Sequence, residues 1–132
     1  MTSEPIVKMR VPLRFRDVDS FGHVYHAEYL TLLDEARTRW FREAVALDYP
    51  GAYVVARLEI DYVSSLVLDD VEAVATFAAE RVGTSSLTLT ETLSAPDGRV
   101  AARVRSVTVR HDPSAGVSRP LTEAERDRLA QA

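Results

Sequence analysis

The sequence predicts an α+β fold in which one long helix is wrapped by an antiparallel sheet of about five strands. Apolar residues recur at three- and four-residue spacing over residues 27–47, which is typical of a helix laid against a sheet. The flanking segments alternate apolar and polar residues, which is typical of strands with one buried face. The order of strand, helix and then successive strands joined by short turns favours antiparallel pairing around the helix.

The alternation also gives approximate strand positions. The first strand is predicted from Val7 to Phe15, and Pro12 within it favours an edge strand or an interruption, because proline lacks an N–H donor. If the same two-residue alternation is extended beyond Phe15, Asp17 and Asp19 fall on the apolar side of this strand. The later strands are predicted over residues 53–62, 71–82, 87–93 and 100–110.

Breaks in these patterns predict the turns and the last helix. The long helix is predicted to end at Pro50-Gly51. Successive strands are predicted to be separated by turns at Gly83-Thr84 and Pro96-Asp97-Gly98. Apolar parity shifts between Val104 and Val107, which predicts a bulge near Arg105-Ser106. Ser114 to Ser118 is interpreted as a loop, and the capping-box pattern Thr122 to Glu125 predicts a short final helix.

Composition limits the classes of function. The 132 residues predict a single domain over residues 1–132, and 46% hydrophobic with 27% charged residues is typical of a soluble globular protein. The net charge of −4 argues against a nucleic-acid partner. The absence of cysteine excludes disulfides, thiolate catalysis and cysteine-ligated zinc. Without a long apolar run at the N-terminus we expect no signal peptide or membrane span, and therefore a cytoplasmic protein.

The segment from Asp17 to Leu30 carries the chemistry. It places two carboxylates, a glycine and two histidines just before the predicted helix. Free N–H groups at a helix start can polarise a carbonyl or hold an oxyanion, and a nearby acid can act as a base or a nucleophile.

Other interpretations of these residues are structural. Asp17 and Asp19 also suit a turn before a helix, and Asp69-Asp70 is interpreted as a turn. His23 and His26 have no cysteine or third histidine close by, so no metal site is predicted. The sequence lacks G-x-S-x-G and glycine-rich phosphate-loop motifs, which argues against a serine hydrolase and against cofactor-dependent chemistry.

The chain resembles the hotdog-fold acyl-CoA thioesterases, in the branch typified by 4-hydroxybenzoyl-CoA thioesterase and the Tol-Pal-associated thioesterase. The resemblance covers residues 7–112, and its most specific part is the motif just described. Weaker support comes from the spacing of two further stretches. The residues that carry the likeness are 16–19, 22–27, 29–30, 35–37, 60–62, 68–71 and 81–86. The resemblance implies the hotdog fold, with the helix as the sausage and the sheet as the bun.

The resemblance also implies roles for individual residues. Asp19 corresponds to the acid that attacks the thioester carbonyl or activates a water, and the backbone N–H of His26 corresponds to the donor that polarises this carbonyl. Asp17 is expected to orient the loop, and the substrate is expected to contact the turn formed by Gly22, His23, Val24 and Tyr25.

More distant contacts follow from the same resemblance. A neighbouring subunit is expected to contribute near Ser65. Arg81, Thr84 or Ser85 is expected to take over coenzyme A contacts that relatives make with arginines. Glu35 and Arg37 are expected to be charges at the helix surface or at a subunit contact. No cofactor is implied, because coenzyme A, or the pantetheine of an acyl carrier protein, enters as part of the substrate.

Two alternatives to thioester hydrolysis remain. Asp19 with His23 or His26 would suit a hotdog hydratase or dehydratase, and the fold would also suit a non-catalytic acyl-CoA-binding protein. Because antiparallel sheets leave free edges, we expect a homodimer with joined sheets, or a dimer of such dimers.

Overall fold

The computed structural model of the protein describes residues 6–47 and 52–132. The predicted α+β class is confirmed, with strands flanking one main helix. In chain order the elements are β1 (Lys8–Pro12), α1 (Glu28–Glu43), β2 (Tyr53–Tyr62), β3 (Glu72–Val82), β4 (Ser86–Ser94), β5 (Val100–Asp112), β6 (Val117–Ser118) and α2 (Glu123–Ala130). Single 3₁₀ turns lie at Phe15–Asp17 and Leu68–Asp70.

The sheet has the order β1-β3-β4-β5-β2, with every neighbouring pair antiparallel, and β6 pairs with the end of β5. β1 and β2 are therefore the two edge strands. Pro12 lies in β1 opposite Glu72, so the proline expected at an edge is found there. Among the described residues, no helix is long and apolar enough to cross a membrane.

The first strand is shorter than the alternation suggested. Met9, Val11 and Leu13 are buried as predicted, but Phe15 is 86% exposed. The reason is local, because the extended chain gives way to a 3₁₀ turn at Phe15–Asp17 and the two-residue period ends there.

Helix α1 buries a wide face against the sheet, as its apolar stripe predicted. It ends at Glu43 rather than near Leu47, and Leu30 lies outside the buried face. Beyond Glu43 the N–H groups of Val45 and Leu47 bond to Trp40 and Phe41 in a looser turn. The proposed stop at Pro50-Gly51 lies outside the described residues. The buried residues of α1 are Tyr29, Leu32, Leu33, Ala36, Arg37, Trp40 and Phe41.

A buried ion pair fastens α1 to the middle of the sheet, and it corrects the expectation that Arg37 is a surface charge. Arg37 donates to both carboxylate oxygens of Glu91 on β4, at 2.8 and 2.7 Å, and both side chains are fully buried. Ser106 of β5 also donates to Glu91. Burial lowers the pKa of Arg37, but the hydrogen bonds and charge of Glu91 outweigh this effect and hold the pKa above its ordinary value.

The bulge predicted near Arg105-Ser106 is wrong. Both residues pair regularly with β2 and β4. The apolar parity breaks because the buried face of β5 carries the polar residues Ser106, Thr108 and Arg110 in place of aliphatic ones. The register shifts lie elsewhere, at Val55/Arg57, Ala79/Arg81 and Leu93/Ser94.

The predicted turns and the last helix are found, with one addition. Gly98 adopts φ of +94° in the β4–β5 turn, a conformation that glycine tolerates best. Thr122 caps α2 by accepting the Glu125 N–H, as the capping-box pattern indicated. The segment from Ser114 to Ser118 is not entirely loop, because Val117–Ser118 forms β6.

The buried pair leads to a stability prediction. Replacing Glu91 by Gln removes the buried carboxylate that pairs with Arg37 and leaves only the exposed Asp34 carboxylate, at 3.3 Å, near its charge. We therefore expect the free energy of unfolding in a urea titration to fall by about 3–5 kcal/mol. Glu80→Gln is the control, since Glu80 bonds Arg105 on the exposed face of the sheet and its loss should change stability little. Equal losses in the two variants would show that Arg37 and Glu91 do not anchor the helix.

Candidate functional site

The loop before α1 folds into a tight turn that begins at Asp19. Val18 and Val24 form a bridge, the Asp19 N–H donates to the His23 carbonyl at 2.8 Å, and the Gly22 N–H donates to the Asp19 carbonyl at 3.1 Å. Gly22 has φ of +82°, which explains why a glycine stands at this corner. The predicted turn around Gly22 is therefore built by the backbone itself.

The two oxygens of the Asp19 carboxylate have different surroundings. Oδ1 accepts hydrogen bonds from the N–H groups of Phe21 and His23, at 2.9 and 3.2 Å. Oδ2 accepts none from the part of the chain that the structure describes. Asp19 thus stabilises the turn through Oδ1, which agrees with its interpretation as a turn residue. Its second oxygen, Oδ2, is not engaged in the turn.

Asp17 lies behind this turn and holds it in place. Its carboxylate is fully buried and accepts from the Arg14 guanidinium at 3.0 Å and from the Arg14 N–H at 2.8 Å. Its carbonyl accepts the Tyr25 N–H at 2.8 Å, which ties the turn to the start of α1. The predicted orienting role of Asp17 agrees with these contacts.

The start of α1 offers backbone donors next to Asp19. The Glu28 N–H bonds to the Tyr25 carbonyl at 2.9 Å, and the Tyr29 N–H bonds to the His26 carbonyl at 3.3 Å. The N–H groups of His26 and Ala27 have no acceptor within residues 6–47 and 52–132. Such unpaired donors give a helix N-terminus its affinity for negative charge.

The segment that follows β2 forms the opposite wall. The Val24 N–H donates to the Leu66 carbonyl at 2.8 Å, which brings the segment beside the turn. The buried hydroxyl of Tyr29 accepts the Leu66 N–H at 3.0 Å and donates to the Ser64 carbonyl at 3.3 Å. These contacts place Ser65 in the cleft of its own chain, and a contribution from a neighbouring subunit near Ser65 stays a prediction.

Tyr62, the last residue of β2, completes the wall. Its hydroxyl donates to the His26 carbonyl at 2.9 Å, and its ring meets the rings of Tyr29 and His26 edge-on. Burial, and to a lesser degree the neighbouring Tyr29, raise the pKa of Tyr62, so the hydroxyl remains protonated and able to donate.

These walls enclose a cleft of about 330 Å³. It brings together five of the residues that the sequence singled out, but Gly22 and Tyr25 are not among its lining residues. Tyr25 is 46% exposed and stacks on His26 with ring centroids 4.4 Å apart. The lining residues are Asp19, His23, Val24, His26, Tyr29, Tyr62, Val63, Ser64 and Ser65.

Sequence reasoning missed four of these lining residues, namely Tyr29, Tyr62, Val63 and Ser64. Tyr29 stood out as part of the apolar stripe and of the family likeness but was not predicted to line the site, although a tyrosine on a buried face needs a partner for its hydroxyl. The other three belong to a strand end distant in sequence, and nothing local in the sequence indicated that this end returns to the helix start.

Thr84 and Ser85 are not brought to this cleft within one chain. They follow β3, whereas Ser65 and the cleft lie before it, and the eleven residues of β3 span about 35 Å. Their carbonyls accept the N–H groups of Leu121 and Arg110. Their role in binding substrate stays a prediction.

Two further features bear on the kind of chemistry. In the described part of the chain no group of three or more metal-ligating side chains comes together. A larger groove of about 990 Å³ lies at the other end of α1, beside Trp40 and Phe77, but its described lining contains no Asp, Glu or His side chain. Of these two sites, the cleft at Asp19 is therefore the one that contains carboxylate and imidazole side chains.

Comparisons with known proteins agree with this fold. The model of the Thioesterase-like superfamily matches residues 13–125. A thioesterase from Thermus thermophilus, crystallised with coenzyme A and zinc, superposes with a TM-score of 0.81 and 35% sequence identity, over 95% of this chain and 97% of that one. The likeness confirms the hotdog-type arrangement of sheet and helix.

Curated relatives match over a shorter stretch. Acyl-CoA thioesterase YbgC of Haemophilus influenzae is 35% identical over 83 residues, which cover 58% of this chain and 61% of that protein. Acyl-CoA thioester hydrolase YbgC of Escherichia coli O157:H7 is 31% identical over 83 residues, 58% of this chain and 62% of its own length. In both cases the match covers less than two thirds of the relative.

The two roles of Asp19 can be separated by stability measurements. Asp19→Ala removes the acceptor of two backbone N–H groups, so we expect the free energy of unfolding to fall by about 1–2 kcal/mol. Asp19→Asn keeps an oxygen at Oδ1 and should unfold at nearly the wild-type urea concentration. If Asn destabilised the protein as much as Ala, the turn would depend on the charge rather than on the acceptor.

Proposed function

The chain belongs to the Thioesterase-like superfamily, and we propose that it is an enzyme that hydrolyses acyl-CoA thioesters to a free acid and coenzyme A. One observation carries the proposal. Asp19, whose carboxylate has one oxygen not engaged in the turn, and His26, whose N–H lacks an acceptor in the described chain, line the same cleft.

In the proposed reaction the thioester carbonyl oxygen accepts the His26 N–H. Negative charge that develops on this oxygen is stabilised by the donor and by the helix N-terminus. Asp19 either attacks the carbonyl carbon, forming an anhydride that water then cleaves, or takes a proton from a water that attacks. In both routes the thiolate leaves and takes up a proton, and the acid is released.

The two routes for Asp19 differ in where oxygen from water is incorporated. We propose to distinguish them by a single turnover in H₂¹⁸O followed by mass spectrometry of the peptide that contains Asp19. A direct attack leaves ¹⁸O in the Asp19 carboxylate when water cleaves the anhydride at the aspartyl carbon. If Asp19 acts as a general base, ¹⁸O is found only in the released acid.

The names of the relatives support coenzyme A as the thiol part of the substrate. An acyl carrier protein presents the same pantetheine thioester, so acyl-carrier-protein substrates belong in the same assay panel. The cytoplasm stays the predicted compartment, from the sequence alone.

We also propose that the working enzyme is a homodimer, with a dimer of dimers as the larger form. β2 is an edge strand with exposed apolar residues, including Val54 and Val55, which favours pairing with a second sheet. Thr84 and Ser85 lie at the far end of the sheet from Asp19, so only a second chain brings them to a cleft.

The oligomer proposal is tested by light scattering at several protein concentrations together with activity. We expect a dimer or tetramer mass at every concentration that gives full specific activity. A stable monomer with full activity would contradict a shared site.

The proposed role of Asp19 as base or nucleophile is tested by comparing Asp19→Asn and Asp19→Ala with wild type on a panel of acyl-CoAs, with released thiol as the readout. We expect kcat to fall by about 10²-fold or more in both variants, because acid–base and nucleophilic roles are worth at least this much. Asp69→Asn, the same change at an exposed turn, should keep the wild-type rate. Full activity in Asp19→Asn would exclude Asp19 as base or nucleophile.

Because His23 and His26 line the cleft with Asp19, hydration of an enoyl-CoA is the second candidate. Loss of the enone absorbance without release of thiol would favour it. Tight binding of acyl-CoA without any turnover would instead indicate a binding protein.

A further inference from the structure

Tyr62 makes a contact at the site that the hydrolytic scheme does not yet use. Its hydroxyl donates to the carbonyl of His26, whose N–H is the proposed donor to the thioester. The two residues are 36 positions apart in sequence, one at the end of β2 and the other at the start of α1.

The His26 carbonyl is important because of where it lies. His26 lines the cleft, and its two backbone groups act in opposite senses on a developing oxyanion, because an N–H attracts negative charge and a carbonyl oxygen repels it. A donor on the carbonyl partly neutralises the repelling pole. It also polarises the peptide that carries the Ala27 N–H, since hydrogen bonds in series strengthen one another.

The contact also restricts the main chain of His26. Within the described residues the other donor to this carbonyl is the Tyr29 N–H at 3.3 Å, which is longer than the 2.9 Å bond from Tyr62. The first turn of a helix is prone to fraying, because its N–H groups lack intrahelical partners. The Tyr62 hydroxyl therefore provides the shorter of the two bonds to His26, the residue whose N–H direction matters most for the proposed reaction.

We propose that Tyr62 is a positioning residue that fixes and polarises the backbone donors at the start of α1, so that they stabilise the transition state for thioester cleavage. This inference rests on the proposed function. Tyr62 acts through His26 rather than on the substrate, so its hydroxyl should contribute less than a direct oxyanion donor, which is worth about 10²–10³ in kcat.

Tyr62→Phe isolates the hydroxyl, because it preserves the ring that packs on Tyr29 and His26. We expect kcat for acyl-CoA hydrolysis to fall about tenfold with KM changed less than twofold. Tyr53→Phe is the matched control. It removes a hydroxyl from the same strand that also bonds α1, but at Asp34 and Thr38 in the middle of the helix, so kcat should stay within twofold of wild type.

A spectroscopic readout separates positioning from general loosening. In an Asp19→Asn background, which keeps substrate intact, the infrared band of a ¹³C-labelled thioester carbonyl should shift to lower frequency on binding. Adding Tyr62→Phe should return the band toward its position in free acyl-CoA, whereas adding Tyr53→Phe should leave it shifted.

The outcomes are distinguishable. If wild type releases no thiol from any acyl thioester, the proposed function fails and the role of Tyr62 fails with it. If wild type is active but Tyr62→Phe changes neither kcat nor the carbonyl band, only the role of Tyr62 is wrong. An equal loss of kcat in Tyr53→Phe would also overturn it, because the effect would then come from loosened packing of α1.

Discussion

In the middle of the sheet, Glu91 of β4 accepts two hydrogen bonds from Arg37 of α1, and both side chains are buried. An apolar helix face alone tolerates small slides and rotations on a sheet, whereas a buried charge that loses its partner is strongly disfavoured. The pair therefore sets where α1 lies, and with it the place of the first turn. His26 and Tyr29, at the start of this helix, line the cleft because the helix is fixed there.

The position of the Asp19 carboxylate depends on a second, local constraint. Asp19 forms its own turn through Oδ1 and the positive φ of Gly22, so this lining residue also fixes the loop that carries it. Asp17 ties the same loop to the helix start through the Tyr25 N–H. Acid and donors are held together by backbone contacts, and side chains from β2 and the segment after it close the cleft around them.

Local patterns predicted much of this arrangement. The alternation of β4, the capping box at Thr122, and the grouping of Asp19 with His26 depend on neighbours in sequence, and they were predicted. Predictions failed where distant residues decide the outcome. Glu91 stands in the apolar row of β4, between Leu89 and Leu93, but nothing near Arg37 in the sequence identified it as the partner. The contact of Tyr62 with His26 likewise arises only when β2 returns to the helix start.

The central claim is that Asp19 and the start of α1 act on one carbonyl group. The most direct measurement is a crystal structure with an acyl-CoA analogue in which a methylene replaces the thioester sulfur, so that a ketone binds without being cleaved. We expect the ketone oxygen about 3 Å from the His26 nitrogen, and Oδ2 of Asp19, or a water bound to it, facing the carbonyl carbon. An analogue bound with its ketone outside the Asp19 cleft would contradict the account.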